Sequence, residues 1–166
     1  SLNLSVFFIY WLVFAQPRFF RFRLGISGLL MTNKLAYGIM ECMLSRNENE
    51  LISIGENLGS VCQAGQVILL SGNLGAGKTT LVKGIAKGLG IEQMIKSPTY
   101  TIVREYEGRL PLFHLDVYRI GDDPDSIDLD DFLFGDGITV IEWGELLDLS
   151  LFDDYLRIYI EKVEEG

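Results

Sequence analysis

Cysteine is nearly missing from these 166 residues, with only Cys42 and Cys62 present. A disulfide scaffold is therefore excluded, and nothing points to an oxidising compartment. Each cysteine has apolar neighbours and is expected to be a buried structural thiol. Positive charge is also short: 14 Lys plus Arg stand against 23 Asp plus Glu, a formal net charge of -9. Non-specific grip on nucleic acid comes from neutralising phosphates with a basic surface, so this chain is not expected to hold nucleic acid by itself. No apolar run reaches the roughly 20 residues of a membrane helix; the longest, Leu4 to Ala15, has about a dozen. Its basic residues follow the run instead of preceding it, which is the wrong order for a signal peptide. Internal repeats are absent, as is linker-like composition after residue 40. What remains is 48% hydrophobic and 22% charged, the make-up of a chain that buries a core, at a length suited to one domain.

The charge is unevenly shared. Residues 1–30 carry Arg18, Arg21 and Arg23 and no acid, hence +3, which leaves -12 on the remainder of the -9 total. Residues 1–36 are therefore expected to be an extension, upstream or appended sequence, with the domain proper at 37–166. The start at Ser1 without Met fits that expectation, with Met31, Met40 or Met43 as natural starts. A hydrophobic helix packed on a partner and a membrane anchor are the alternatives for this stretch.

Beyond residue 37 the pattern is orderly. Tyr37 to Leu44 reads as a strand, and Ser45 with Glu48 reads as a capping box opening a helix. Leu51, Ile54, Leu58 and Val61 give that helix one buried face, and Gly65 closes it. Val67 to Leu70 is continuously apolar, as in a parallel strand covered on both faces. A second helix is predicted from Lys78 to Leu89, ending at Gly90. Thr99 to Tyr106 and Leu110 to Tyr118 read as a hairpin about Glu107-Gly108. Asp122 to Asp136 holds seven aspartates and reads as a short helix with loops, before strands at Ile138 to Ile141 and Tyr155 to Val163. The expected fold is α/β and P-loop NTPase-like: a largely parallel sheet flanked by helices, with a β-hairpin insertion.

The chemistry starts at Gly72. Gly72-Asn73-Leu74-Gly75-Ala76-Gly77-Lys78-Thr79 fits the phosphate-loop pattern G-x-x-x-x-G-K-[ST] without a mismatch. Such a loop wraps an anion with its backbone N–H groups, and the following helix aims its own unpaired N–H groups and positive dipole end at the same charge. Lys78 would bridge the β- and γ-phosphates, and the Thr79 hydroxyl would complete Mg²⁺ coordination. An acid at the end of a neighbouring buried strand should hold the metal's water shell. Glu142 and Asp116 both qualify, and the cleaner apolar run before Glu142 favours it. Asn33-Lys34 is followed by Leu35-Ala36, so no guanine-reading Asn-Lys-x-Asp exists and ATP is the expected nucleotide. Arg104, Arg109 and Arg119 are too dispersed for the arginine-rich lid of a small-molecule kinase.

Gly75-Ala76-Gly77-Lys78-Thr79-Thr80, Ser97-Pro98-Thr99-Tyr100-Thr101, Glu105-Tyr106, His114-x-Asp116-x-Tyr118-Arg119 and Glu142-Trp143 follow one another in order. Together they resemble the bacterial TsaE (YjeE) family, over residues 37–163. That resemblance implies a Mg²⁺-dependent ATPase, stimulated by partners, in the machinery that makes threonylcarbamoyl adenosine beside the anticodon of tRNA. It implies nucleotide contacts from Asn73, Leu74, Gly75, Ala76, Gly77, Lys78, Thr79, Thr80, Thr99 and Trp143. It also implies metal ligation by Thr79 and Glu142, and catalytic roles for Lys78 and Asp116. Thr99, in a switch-like Ser97–Tyr100 segment, would sense the γ-phosphate, and Asp116 would orient the attacking water or touch the metal's outer shell. His114 belongs to the motif but reads equally well as a satisfied strand histidine. Tyr118 and Arg119 would serve either the site or a partner surface. The implied partners are proteins, the threonylcarbamoyl-transferase heterodimer, with no tight tRNA binding by this chain, no membrane and a cytoplasmic location. A free-standing kinase and a nucleotide-binding regulator without turnover are the rival classes. Two departures stand out: Asn73 replaces the family's usual Asp, and members often continue past this C-terminus with an arginine-bearing strand.

Overall fold

The computed structural model describes residues 5–14, 39–99, 101–119, 128–133, 135–152 and 155–164. Among the described residues seven strands form one sheet: β1 (Ser5–Phe14), β2 (Ile39–Ser45), β3 (Val67–Ser71), β4 (Val103–Tyr106), β5 (Leu112–Asp116), β6 (Ile138–Glu142) and β7 (Tyr155–Glu164). Their order across the sheet is β2-β1-β7-β3-β6-β5-β4. β7, β3, β6 and β5 are mutually parallel, and β4 closes one edge antiparallel to β5. Every residue of β3 and of β6 is buried, which is why Val67 to Leu70 is continuously apolar and Ile138 to Ile141 is apolar but for Thr139.

Side-chain alternation sends Ile68 and Leu70 to one face, where α1 (Glu48–Val61) and α2 (Lys78–Gly88) supply Leu51, Leu58, Leu81 and Ile85. Val67 and Leu69 go to the other face and meet Leu115, Ile141, Phe152 and Leu133 of the four-residue helix α3 (Asp130–Leu133). α1 and α2 approach closely because they meet through glycine; a Cβ on Gly59 would collide with the Ile85 carbonyl. The fold is the expected α/β, P-loop NTPase-like architecture with a hairpin.

Residues 5–14, within the stretch expected to be an extension, form β1, which lies between β2 and β7 and is antiparallel to both, from Ser5↔Glu164 to Phe14↔Tyr155. An apolar run too short for a membrane helix is ample for a strand, and its Val, Ile, Phe, Tyr and Trp content suits one.

The start of α1 also moves. Asn47, not Ser45, is the N-cap: its side chain accepts from Glu50 N at 2.9 Å, and Glu50 Oε2 accepts from Arg46 N at 2.8 Å. The hairpin strands are shorter than predicted. The Pro98 carbonyl accepts from Thr101 N and Ile102 N, and Ile102 has φ of 67°, so the chain turns before β4 begins. Cys62 is buried as expected, whereas the Cys42 side chain, Tyr100, residues 120–127 and most of residues 1–36 lie outside the described residues. Among the described residues no helix is long and apolar enough to cross a membrane.

Candidate functional site: a phosphate loop beside two acids

β3 delivers the chain to residue 72, and α2 takes it up again at Lys78. Gly77 caps that helix at φ 109° and ψ 14°, a left-handed conformation in which a side chain would be strained, and it contributes no capping side chain. The first N–H groups of α2 are thus left for an anion. Gly72, at φ 146°, passes directly against the Ile160 carbonyl of β7, where a Cβ would collide.

Lys78 is folded back onto its own loop. Its Nζ donates to the Gly72 carbonyl at 2.6 Å and the Asn73 carbonyl at 3.0 Å, and lies 4.4 Å from the centre of the Trp143 ring. Burial holds its ammonium below the ordinary lysine pKa, while Glu142, Glu145 and Asp116 pull the other way. Trp143 has φ of 61° and its N–H donates to Leu70 O at 2.9 Å, a turn that leaves the ring between Lys78 and Tyr118. The Tyr118 ring centre is 5.0 Å from that of Trp143.

The two candidate acids stand at the ends of adjacent parallel strands, with Asp116 and Glu142 as register partners. Glu142 faces α2: Thr79 Oγ1 donates to Glu142 Oε1 at 3.2 Å. Asp116 faces the segment before the hairpin: Thr99 Oγ1 donates to Asp116 Oδ2 at 3.1 Å, and Tyr118 N donates to Asp116 Oδ1 at 2.9 Å. Ser97 Oγ lies 2.7 Å from Thr99 Oγ1, extending the same chain of hydroxyls.

A cleft of about 440 Å³ collects most of these groups. Leu74, Gly75, Gly77, Lys78, Thr79, Thr80, Thr99, Asp116, Glu142 and Trp143 all line it. Asn73 and Ala76 do not: Ala76 is buried, and Asn73 gives its carbonyl to Lys78. Ser97, Tyr118 and Arg119 line the cleft as well. For Tyr118 and Arg119 the sequence admits either the site or a partner surface, and both stand at the cleft. His114, which the sequence leaves open between a motif residue and a satisfied strand histidine, has its Nε2 2.7 Å from Glu142 Oε1. The available signal was its position two residues before Asp116 on one strand face.

Among the described residues there is no group of three His, Cys, Asp or Glu able to hold a metal. The hydroxyl of Thr79 and the carboxylate of Glu142 instead supply two hard oxygens beside the anion-binding loop. That set fits Mg²⁺, which keeps several waters and completes its shell with substrate phosphates.

A glycine loop between a buried parallel strand and a helix, followed by Lys-Thr, defines a nucleotide-binding protein of the P-loop NTPase class. The family model described as threonylcarbamoyl adenosine biosynthesis protein TsaE matches residues 45–166, and the chain belongs to the TsaE family. The tRNA threonylcarbamoyladenosine biosynthesis protein TsaE of Bacillus subtilis (strain 168) is 42% identical over 117 residues, 70% of this chain and 74% of that protein. The protein of the same name from Treponema pallidum (strain Nichols) is 40% identical over 129 residues, 76% of this chain and 95% of that one. Among solved structures, Bacillus subtilis YdiB superposes with a TM-score of 0.61 at 33% identity, covering 73% of this chain and 83% of the other.

Proposed function

We propose that this protein is the Mg²⁺-dependent ATPase subunit of the machinery that makes threonylcarbamoyladenosine in tRNA. The reading rests on one cluster, Lys78 and Thr79 at the head of α2 with Glu142 Oε1 3.2 Å from the Thr79 hydroxyl. The loop N–H groups from Asn73 to Thr79, with Thr80, cradle the phosphates of ATP, and Trp143 flanks them. Lys78 leaves the Gly72 and Asn73 carbonyls for the β- and γ-phosphate oxygens. Thr79 and Glu142 hold Mg²⁺, which when bound neutralises charge on the phosphates. Asp116, tied to Tyr118 N and Thr99, orients the attacking water, and the Thr99 hydroxyl answers to the γ-phosphate. The products are ADP and phosphate.

Thr99 cannot serve Asp116 and a γ-phosphate equally. The Ser97–Tyr100 segment therefore changes arrangement with nucleotide state, and a protein partner reads that change. The partner is the threonylcarbamoyl-transferase heterodimer. With a net charge of -9, and more acid than that beyond residue 30, this chain leaves tRNA to the partner. Such work belongs in the cytoplasm.

The test is ATP hydrolysis with and without the heterodimer, together with heterodimer binding in ATP, ADP and no nucleotide. Turnover that rises with the partner, and affinity that differs between ATP and ADP, are expected. Nucleotide-independent affinity would refute the switch. Tight, salt-sensitive tRNA binding by the isolated chain would refute the division of labour.

A further inference from the structure

His114 is the chain's single histidine and is fully buried in β5. Its Nε2 lies 2.7 Å from Glu142 Oε1, the same oxygen that accepts from the Thr79 hydroxyl. Neither contact uses Oε2. Glu142 is itself 4% exposed, and a carboxylate so deeply placed depends on its hydrogen bonds. Opposite a carboxylate, which as the anion only accepts, the geometry calls for Nε2 as the protonated nitrogen. Nδ1 is buried with no partner among the described residues, which suits a bare lone pair better than an N–H.

The two donors to Oε1 differ in kind. The Thr79 hydroxyl turns about one bond and is the group that must find a new partner when phosphate and metal arrive. The imidazole is locked in a strand, between β4 and β6, with Val140 as its register partner on β6. We infer that His114 is a positioning residue: it fixes the Glu142 carboxylate through Oε1 and leaves Oε2 for the metal's shell while Thr79 changes partners. This rests on the proposed role of Glu142 toward Mg²⁺. Fixed outer partners of this kind set ligand orientation and are worth about 10–100-fold in metal affinity.

The first measurement needs no variant. In the ¹⁵N-labelled full chain the ring signals of one histidine need no assignment, and they should show the Nε2–H tautomer with and without Mg²⁺ and ATP. An Nδ1–H tautomer would overturn the inference, because the imidazole would then not donate to Glu142 and only the Thr79 hydroxyl would. The second compares His114→Leu with His114→Gln, whose amide can reach the place of Nε2. The Leu variant should need about 10–100-fold more Mg²⁺ to bind ATP, with affinity in EDTA unchanged. The Gln variant should recover most of the loss. An unchanged Mg²⁺ demand in His114→Leu, or equal losses with Mg²⁺ and in EDTA, would sink the inference. Should the Leu variant not fold, the tautomer and the Gln variant decide. Wild-type protein that binds ATP equally with Mg²⁺ and in EDTA would instead remove the metal role of Glu142, with the Nε2–H tautomer still present.

Discussion

Asp116 and Glu142 are register partners on adjacent parallel strands, yet their carboxylates serve different neighbours. Glu142 takes the Thr79 hydroxyl at the head of α2, and Asp116 takes the Thr99 hydroxyl 3.1 Å away. One acid thus faces the phosphate loop and the other faces the segment that precedes the hairpin. Two acids that both qualify from sequence, with Glu142 favoured, are set apart by the side to which each turns.

Glu142→Ala should weaken ATP binding in Mg²⁺ far more than in EDTA, since Thr79 would lose its carboxylate neighbour. A loss on the order of 10-fold or more in Mg²⁺ is expected. Isothermal titration under both conditions measures it. Equal losses would move the metal role to Asp116.

Lys78→Ala and Thr79→Ala should each reduce hydrolysis by about 10²–10³-fold, the usual loss when a direct contact to developing charge is removed. Steady-state phosphate release is the assay, and unchanged turnover in either variant would refute the phosphate-loop reading. The lysine also has a pH signature. Its folded-state pKa lies below the ordinary value of 10.5, so between the two values the unfolded chain binds more protons. In that alkaline window the empty protein gains stability from this group as pH rises. ATP affinity should fall over the same window, because the ammonium is lost. Lys78→Ala should show neither trend.

The Cys62 thiol is pushed up to about 12 by burial, with Arg109 opposing. In a Cys42→Ser background, a thiol reagent at pH 8 should leave folded protein essentially unlabelled and react readily in urea. Rapid labelling of the folded protein would show that the Cys62 site opens.

Arg109 reaches from the hairpin turn to the end of α1, donating from Nη2 to Gly59 O at 3.0 Å and Cys62 O at 3.1 Å. Because its side chain is exposed, Arg109→Ala should cost only about 1 kcal/mol, a few degrees in Tm. ATP affinity should stay unchanged. Thermal melts with parallel nucleotide titrations check both.

The phosphate loop could be read from sequence because its geometry is local: positive φ at Gly72, Gly75 and Gly77 is written in the residues that need it. β3 and β6 are nearly as plain, since burial on both faces leaves a dense apolar signature, broken in β6 only by Thr139 before Glu142. The rest depends on what distant segments do to one another. Asn47 displaces Ser45 as the cap of α1 because Ser45 ends β2 and turns its hydroxyl to Asn47 O at 2.7 Å. β1 reads as an orphan run until β2 and β7 offer it edges. The link from His114 to Glu142 joins residues 28 positions apart and exists only once β5 and β6 are in register.

Lys78, resting on the Gly72 and Asn73 carbonyls, makes the empty loop a competitor of its own ligand. On the proposed reading, an incoming triphosphate would first have to break the 2.6 Å charge-assisted bond inside the protein, so part of its attraction would be cancelled. ADP, with one phosphate fewer to draw the ammonium away, would leave the internal bond easier to re-form. Emptying the cleft would then have help from within, since the side chain that grips the nucleotide would have somewhere to return to.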